Sequence, residues 1–132
     1  ALVAEDPAEI TIANRTLGKA LQLKTEFEHL ANVTALGFGD LDATAFDLVI
    51  NGTSLSLEGK LPPVSKAVIS SACCCYDMMY GDSDTVFVSW ARANGAVLAL
   101  DGLGMLVEQA AESFTIWHGL RPQTQLVISQ LR

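Results

Sequence analysis

Short apolar segments alternate along the chain with longer stretches in which apolar residues recur at helical spacing. The short segments predict β-strands at 10–13, 33–36, 46–50, 72–76 and 97–100. The helical spacing predicts helices from Thr16 to about His29, from Val86 to about Asn94, from near Gly102 to 117–119, and from Thr124 to Leu131. The third strand is continuously apolar after Asp47, which is typical of a strand covered on both faces. This alternation favours an α/β fold with a doubly wound, mainly parallel sheet and flanking helices.

Glycines and capping residues mark where these elements begin and end. Asp84 and Thr85 are both suited to cap the second helix, and Gly95 is suited to close it at the position after its C-cap. Two glycines, Gly102 and Gly104, stand at the start of the third helix, where they would let backbone approach a ligand. The 37–40 segment, Gly-Phe-Gly-Asp, lacks a third glycine and follows the wrong strand for a phosphate loop, so we interpret it as a turn.

Composition limits the class of protein. Half of the 132 residues are hydrophobic, which predicts one folded domain with a core. The formal net charge of -7 argues against nucleic acid or an acidic membrane surface as a main partner. No apolar run reaches the roughly 18 residues of a membrane span, and the first residues lack the basic region of a signal peptide, so a cytoplasmic location is expected.

The cysteines and histidines do not indicate a metal site. Cys73, Cys74 and Cys75 are consecutive in a predicted strand, so neighbouring thiols would point to opposite faces, and we expect them to be small buried hydrophobes. His29 and His118 each fall at the end of a predicted helix, where the helix dipole favours a cation, and we interpret both as structural.

Basic residues at the start of the first helix indicate an anionic ligand. The preceding strand ends in Asn14-Arg15-Thr16, with Lys19 one turn further on, and it carries no acidic residue for the ribose hydroxyl of NAD. Cations at a helix N-terminus oppose the helix dipole, which is unusual for a plain solvated surface. From these residues alone, an NADP phosphate site and a solvated basic helix start both stay open.

Four stretches resemble the C-terminal half of shikimate dehydrogenase in order and spacing. They are Asn14-Arg15-Thr16-Leu17-Gly18-Lys19, Asn51-Gly52-Thr53-Ser54, Tyr76-Asp77-Met78-Met79-Tyr80, and Asp101-Gly102-Leu103-Gly104-Met105 with Gln109. The resemblance implies that residues 1–132 form an NADP-binding domain of Rossmann-like fold. It also implies that the first strand, its glycine-rich loop and the substrate-binding domain would precede Ala1.

The resemblance assigns roles to individual residues. Cofactor contacts would come from Asn14, Arg15, Thr16, Lys19, Thr53, Ser54, Met78, Gly102 and Met105, and substrate contacts from Tyr80 and Gln109. Gln109 lies on an otherwise apolar helix, where a side-chain amide needs a partner. The chain departs from the family pattern at Gly52, usually alanine, at Ser56, usually glycine, and at Val86, often proline.

The implied activity is the reversible NADPH-dependent reduction of 3-dehydroshikimate to shikimate, a step of aromatic amino acid biosynthesis. The family's catalytic lysine and aspartate would belong to the preceding domain, so no residue of this chain is predicted to be catalytic, and none to bind metal. A quinate/shikimate dehydrogenase and a non-catalytic nucleotide-binding domain are the alternatives. Without its first strand, the isolated chain is expected to be inactive and marginally stable, to bind NADPH poorly, and to associate through exposed strands; a homodimer also stays open.

Overall fold

The computed structural model describes residues 2–41 and 44–132. These residues form two compact units, Ala1–Ala45 with Pro63–Val68 and Phe46–Pro62 with Ile69–Arg132. All five predicted strands are present, and every strand pair is parallel, in one two-stranded and one three-stranded sheet. The α/β prediction is therefore confirmed.

The first unit is a βαβ arrangement. Strand β1 spans Ile10–Ala13, helix α1 spans Leu17–Phe27 and strand β2 spans Val33–Leu36, with short 3-10 turns at Leu2–Glu5, Phe38–Asp40 and Lys66–Val68. The strands pair in register from Ile10 with Val33 to Ala13 with Leu36. Residues 38–40 form a turn, as predicted. The sequence predicted that His29 ends helix α1. The helix instead ends at Phe27, so His29 lies beyond it.

The second unit contains the other strands and helices. Strands β3, β4 and β5 span Phe46–Asn51, Ile69–Asp77 and Leu98–Leu100; helices α2, α3 and α4 span Val86–Ala93, Leu103–His118 and Thr124–Gln130; a 3-10 turn covers Ser54–Glu58. Strand β4 lies between β3 and β5. The register places Asn51 beside Asp77 and Tyr76 beside Leu100, so the carboxyl ends of the three strands meet at one edge.

Helix α2 and one face of this sheet form the main core. The buried members of the core are Cys73, Cys75, Phe87, Val88, Ala91 and Ala99. Cys73 and Cys75 are buried free thiols with sulfur atoms 3.9 Å apart, which confirms the prediction for these two, whereas Cys74 is only half-buried. Burial, with the Cys73 thiol next in effect, raises the pKa of Cys75 to about 12, so this thiol stays protonated at neutral pH.

The opposite face of the three-stranded sheet differs from the prediction. Leu48 is 48% exposed and Ile50 is 39% exposed, so β3 is not covered on both faces within this chain. Residues two apart on a strand share a face, and these two point away from the core residue Val49. The apolar run therefore predicted the strand correctly but not the extent of its covering.

Helix boundaries follow the predicted caps. The hydroxyl oxygen of Thr85 accepts a hydrogen bond from the backbone amide of Val88 at 3.2 Å, and Gly95 has a φ of +93°.

Strand β4 begins at Ile69 and not at Ala72, because Phe46 pairs with Ile69 across a register shift that the polar residues Ser70 and Ser71 conceal in the sequence.

Residues 2–41 and 44–132 contain neither a membrane-spanning helix nor a cluster of metal-binding side chains. None of the helices there has the length and hydropathy that crossing a membrane requires. Nor does this part of the chain gather three or more histidine, cysteine or acidic side chains in a metal-binding arrangement.

Candidate functional site at the carboxyl ends of β3, β4 and β5

Three polar side chains are buried where the strands of the second unit end. Asn51 ends β3, Asp77 ends β4 and Asp101 directly follows β5, and their exposed fractions are 4%, 0% and 4%. Open α/β sheets bind their ligands beside the carboxyl ends of the strands. Burying polar groups there costs free energy unless each is hydrogen-bonded, so the partners of these three residues define the site.

Asp77 accepts four hydrogen bonds from neutral groups. Its Oδ1 accepts from Asn51 Nδ2 at 3.0 Å and from the Met79 amide at 3.1 Å. Its Oδ2 accepts from the hydroxyls of Ser56 and Thr85, both at 2.6 Å. An ionised carboxylate has about four acceptor positions, and short O–H···O distances are typical of a charged acceptor. The four donors together satisfy a buried carboxylate.

The two hydroxyls are oriented by donors of their own. Thr85 Oγ1 accepts from the Val88 amide, and Ser56 Oγ accepts from Asn51 Nδ2 at 3.3 Å, so each hydroxyl proton is left to point at Asp77. The carboxylate thereby joins the start of α2 to the turn that follows β3.

Asn51 holds the turn that carries Thr53 and Ser54. Its Oδ1 accepts from the amide of Thr53 at 3.0 Å and from the hydroxyl of Thr53 at 2.8 Å. Because Nδ2 donates to Asp77 and Oδ1 accepts from Thr53, these partners determine which end of the Asn51 amide is nitrogen and which is oxygen. Thr53 is therefore half-buried and fixed, whereas Ser54 is exposed.

Asp101 organises the turn from β5 into α3. Its Oδ1 accepts from the Leu103 amide at 3.2 Å, and its carboxylate also pairs with Arg132. Burial raises the pKa of the nearby Tyr76 phenol; the Asp101 carboxylate adds to this effect, and a hydrogen bond with the Met105 backbone opposes it.

Gly102 lies in direct contact with the end of β4. Its amide donates to the carbonyl of Met79 at 2.9 Å, and a Cβ added to it would lie 2.2 Å from the carbonyl oxygen of Met78. Such a distance is far inside van der Waals contact, so no other residue fits without movement of the backbone. The requirement for glycine here is a matter of packing between two strand ends.

The second unit therefore brings together most of the predicted contacts. Met78 and Tyr80 follow β4 with 38% and 47% of their surface exposed, while Met105 is half-buried in the first turn of α3. Gln109 lies four residues beyond Met105, on the same side of α3. Gln109 is exposed, so the apolar surroundings expected of it from the sequence are absent, and water can satisfy its amide.

The predicted basic contacts lie in the first unit. Asn14 Oδ1 accepts from the Thr16 amide at 2.9 Å and so shapes the entry into α1. Arg15 and Lys19 are exposed, the first turn of α1 has no acidic residue, and within the described residues neither cation has an ion-pair partner. Both charges are thus available to an anion at a helix N-terminus.

Sequence reasoning missed the roles of four residues. Asp77 and Asp101 belong to the motifs but were given no function, Ser56 was noted only as a departure, and Arg132 was not considered. The available signal was a carboxylate directly after each of two apolar strands, at 77 and 101. Arg132 gave no signal, because its partner lies 31 positions away in the sequence.

Comparisons with known proteins agree on one family. The family described as shikimate 5'-dehydrogenase C-terminal domain matches residues 102–132. The shikimate dehydrogenase (NADP(+)) of Aeromonas salmonicida is 57% identical over 131 residues, covering 99% of this chain and 48% of the relative. The chain spans about half the length of the curated relatives it matches.

Similar solved structures include shikimate dehydrogenases and enzymes with other names. An Ael1 enzyme from Pseudomonas putida aligns with a TM-score of 0.85 at 45% identity, over 95% of this chain and 46% of that one. The shikimate dehydrogenase of Thermus thermophilus, solved with NADP(H) and shikimate, aligns with a TM-score of 0.76 at 26% identity, over 98% of this chain and 47% of that one. The sequence resemblance and the Rossmann-like fold are confirmed.

Proposed function

We propose that this chain, which is similar from end to end to the C-terminal half of NADP-dependent shikimate dehydrogenases, is the NADP-binding part of such an enzyme. The whole protein would reduce 3-dehydroshikimate reversibly to shikimate. NADPH supplies the hydride when bound, and the chain's own residues bind and orient it. The observation that carries the proposal is the 57% identity to a shikimate dehydrogenase across 99% of the chain.

The start of α1 suits the 2′-phosphate of NADP. Arg15 offers a planar guanidinium with several donors, and Lys19 adds a second cation in the first turn of the helix. Asn14 and Thr16 shape the turn that precedes the helix. Because no carboxylate ends the strand, the ribose hydroxyl that NAD presents has no acceptor here, which favours NADP.

The carboxyl ends of β3 to β5 suit the nicotinamide half of the cofactor. Ser54 presents a hydroxyl on a turn fixed by Asn51, and the Thr53 hydroxyl, which donates to Asn51, can still accept a hydrogen bond. Met78 and Met105 offer adaptable apolar surface to a planar ring, and Gly102 leaves the neighbouring backbone free of a side chain.

Tyr80 and Gln109 are the proposed substrate contacts. The Tyr80 hydroxyl and the Gln109 amide are exposed and can both donate to and accept from the hydroxyls of a cyclic polyol. Proton transfer is assigned to no residue of this chain. In the whole protein we place it in a preceding substrate-binding domain, and we place that protein in the cytoplasm, where its three free cysteines would stay reduced.

The test uses the natural full-length protein that carries this chain. The wild type should reduce 3-dehydroshikimate with NADPH and should use NADH far less well. Alanine at Arg15 or at Lys19 should each weaken NADPH binding about tenfold or more and leave NADH binding unchanged, because each removes a hydrogen-bonding charge from the phosphate. Fluorescence titration with each cofactor measures this directly.

Lys24 provides the matched control. It lies in the last turn of the same helix, so Lys24→Ala should leave both cofactor affinities unchanged. Equal losses for NADPH and NADH in the Arg15 variant would reject the phosphate assignment. Oxidation of quinate as fast as shikimate would favour the quinate/shikimate alternative, and a wild type that binds NADPH but oxidises neither would favour a non-catalytic domain.

A further inference from the structure

Arg132 forms a bidentate ion pair with Asp101. Its Nη2 lies 2.6 Å from Asp101 Oδ1, and its Nη1 lies 3.4 Å from Asp101 Oδ2. The side chain of Asp101 is only 2% exposed, whereas that of Arg132 is 45% exposed. The guanidinium therefore approaches a buried carboxylate from the solvent side, and it is the cation that neutralises that charge.

The same carboxylate fixes the entry into α3. Asp101 Oδ1 accepts from the Leu103 amide as well as from Arg132, so one oxygen joins the second residue after α4 to the first residue of α3. Gly102 lies between Asp101 and Leu103 in the sequence, and the hydrogen bond from its amide to the Met79 carbonyl holds it against the end of β4. The position of this turn therefore depends on the position of the Asp101 carboxylate.

Loss of the guanidinium would leave a buried carboxylate without its cation. Such a group must either take up a proton or gain contact with water. Water that enters the space left by the guanidinium would replace its hydrogen bonds but would not hold Asp101 in place, and the oxygen that loses this partner is the one that accepts from the Leu103 amide. A change at Arg132 is thus transmitted to the turn that carries Gly102 and Met105.

We propose that Arg132 is a positioning residue, which acts through Asp101 to hold Gly102 and Met105 in the geometry that orients the nicotinamide. This inference rests on the proposed function. It assigns a role in hydride transfer to the segment after α4, which supplies no group to the cofactor itself. Since the proposed contacts of the 2′-phosphate are Arg15 and Lys19, Arg132 should affect turnover more than cofactor affinity.

The experiment compares Arg132→Ala with Arg121→Ala in the natural full-length protein. Arg121 is the matched control, because it pairs with Glu108 and Glu112, whose side chains are 44% and 62% exposed, so no buried charge depends on it. Arg132→Ala should lower kcat about tenfold to a hundredfold with little change in the KM for NADPH, since small misplacements of reacting groups cost that much. Arg121→Ala should leave both constants unchanged.

Two further variants separate positioning from simple loss of stability. Free guanidinium ion at non-denaturing concentration should restore part of the kcat of Arg132→Ala. The double variant Asp101→Asn with Arg132→Ala should be more active than Arg132→Ala alone, because it no longer carries an uncompensated buried charge. Amide hydrogen exchange at 102–106 should rise in Arg132→Ala and not in Arg121→Ala.

Other outcomes overturn the inference. They are an unchanged kcat in Arg132→Ala, a loss that neither guanidinium nor Asp101→Asn relieves, or unchanged exchange at 102–106. A wild type that cannot oxidise shikimate with NADP would instead reject the proposed function. In that case hydrogen exchange still decides whether Arg132 holds the turn.

Discussion

At the scale of single residues, the centre of the site is a buried carboxylate held by neutral groups. Asp77 is fully buried, and its four hydrogen-bond donors come from β3, the turn after β3, the turn after β4, and the cap of α2. Hydrogen bonds to a charged group are each worth about 1.5–3 kcal/mol, and the cost of leaving a buried one unmade is similar. The free energy that fixes Asn51 and the Met79 backbone is therefore concentrated at a residue that need not touch any ligand.

Asp77→Asn should test this arrangement. An amide has two donors and one acceptor oxygen, so the hydroxyl protons of Ser56 and Thr85 would lose their acceptor. We expect a destabilisation of about 1–3 kcal/mol, measured by denaturant unfolding of the full-length protein, together with weaker NADPH binding. Asp82→Asn is the control, since Asp82 is exposed and has no hydrogen-bond partner within the described residues. Equal stability of the two variants would show that Asp77 is not buried as described.

At Ser56, the sequence showed a difference from the family pattern but did not predict the hydrogen bond that the side chain makes. A serine where the resembled family usually has glycine was visible, and it suggested only a change in the path of the backbone. The contact of its hydroxyl with Asp77, 21 positions away, depends on the pairing of Asn51 with Asp77 in the sheet. Hydrogen-bond partners at this separation are set by tertiary structure, which no local pattern encodes.

At the scale of elements, the site depends on close contact between strand ends. Apolar periodicity predicted the existence, type and order of the strands and of α1 to α4, because burial of one face requires that period. It predicted the boundaries of the elements less accurately, since β4 begins at Ile69 and not at Ala72. It also could not reveal that Gly102 is required by contact with Met78, since a glycine before a helix is equally consistent with a simple turn.

Substitution of the two glycines at the start of α3 should separate packing from conformational freedom. In Gly102→Ala, the new Cβ would lie 2.2 Å from the Met78 carbonyl oxygen, so we expect a loss of about 1–3 kcal/mol and a large fall in kcat. In Gly104→Ala, nothing lies within 4 Å, and alanine favours a helix, so stability should be unchanged or up to about 1 kcal/mol higher. Thermal unfolding and steady-state kinetics of both variants provide the measurement. Equal effects would contradict the close contact of Gly102 with β4.

At the scale of the whole molecule, the chain exposes much apolar surface. Trp117 and Ile116, at the end of α3, are 76% and 73% exposed, and Leu120 is 66% exposed. Leu48 and Ile50 add apolar surface on the sheet of the second unit. Large apolar side chains that are this exposed are typical of a surface that another part of a protein covers, and the relatives are about twice as long as this chain.

The isolated 132 residues should therefore behave differently from the full-length protein. We expect the isolated chain to self-associate, to bind a hydrophobic dye, to unfold at lower temperature with a broad transition, and to bind NADPH weakly, because the exposed apolar side chains favour contact with any apolar surface. Sedimentation across a concentration series, with the full-length protein as the control, measures the association. Ile116→Lys should reduce the association of the isolated chain, since a charge in an apolar contact must be desolvated. A monomer that melts cooperatively at high temperature would show that the 132 residues bury enough surface to be stable alone.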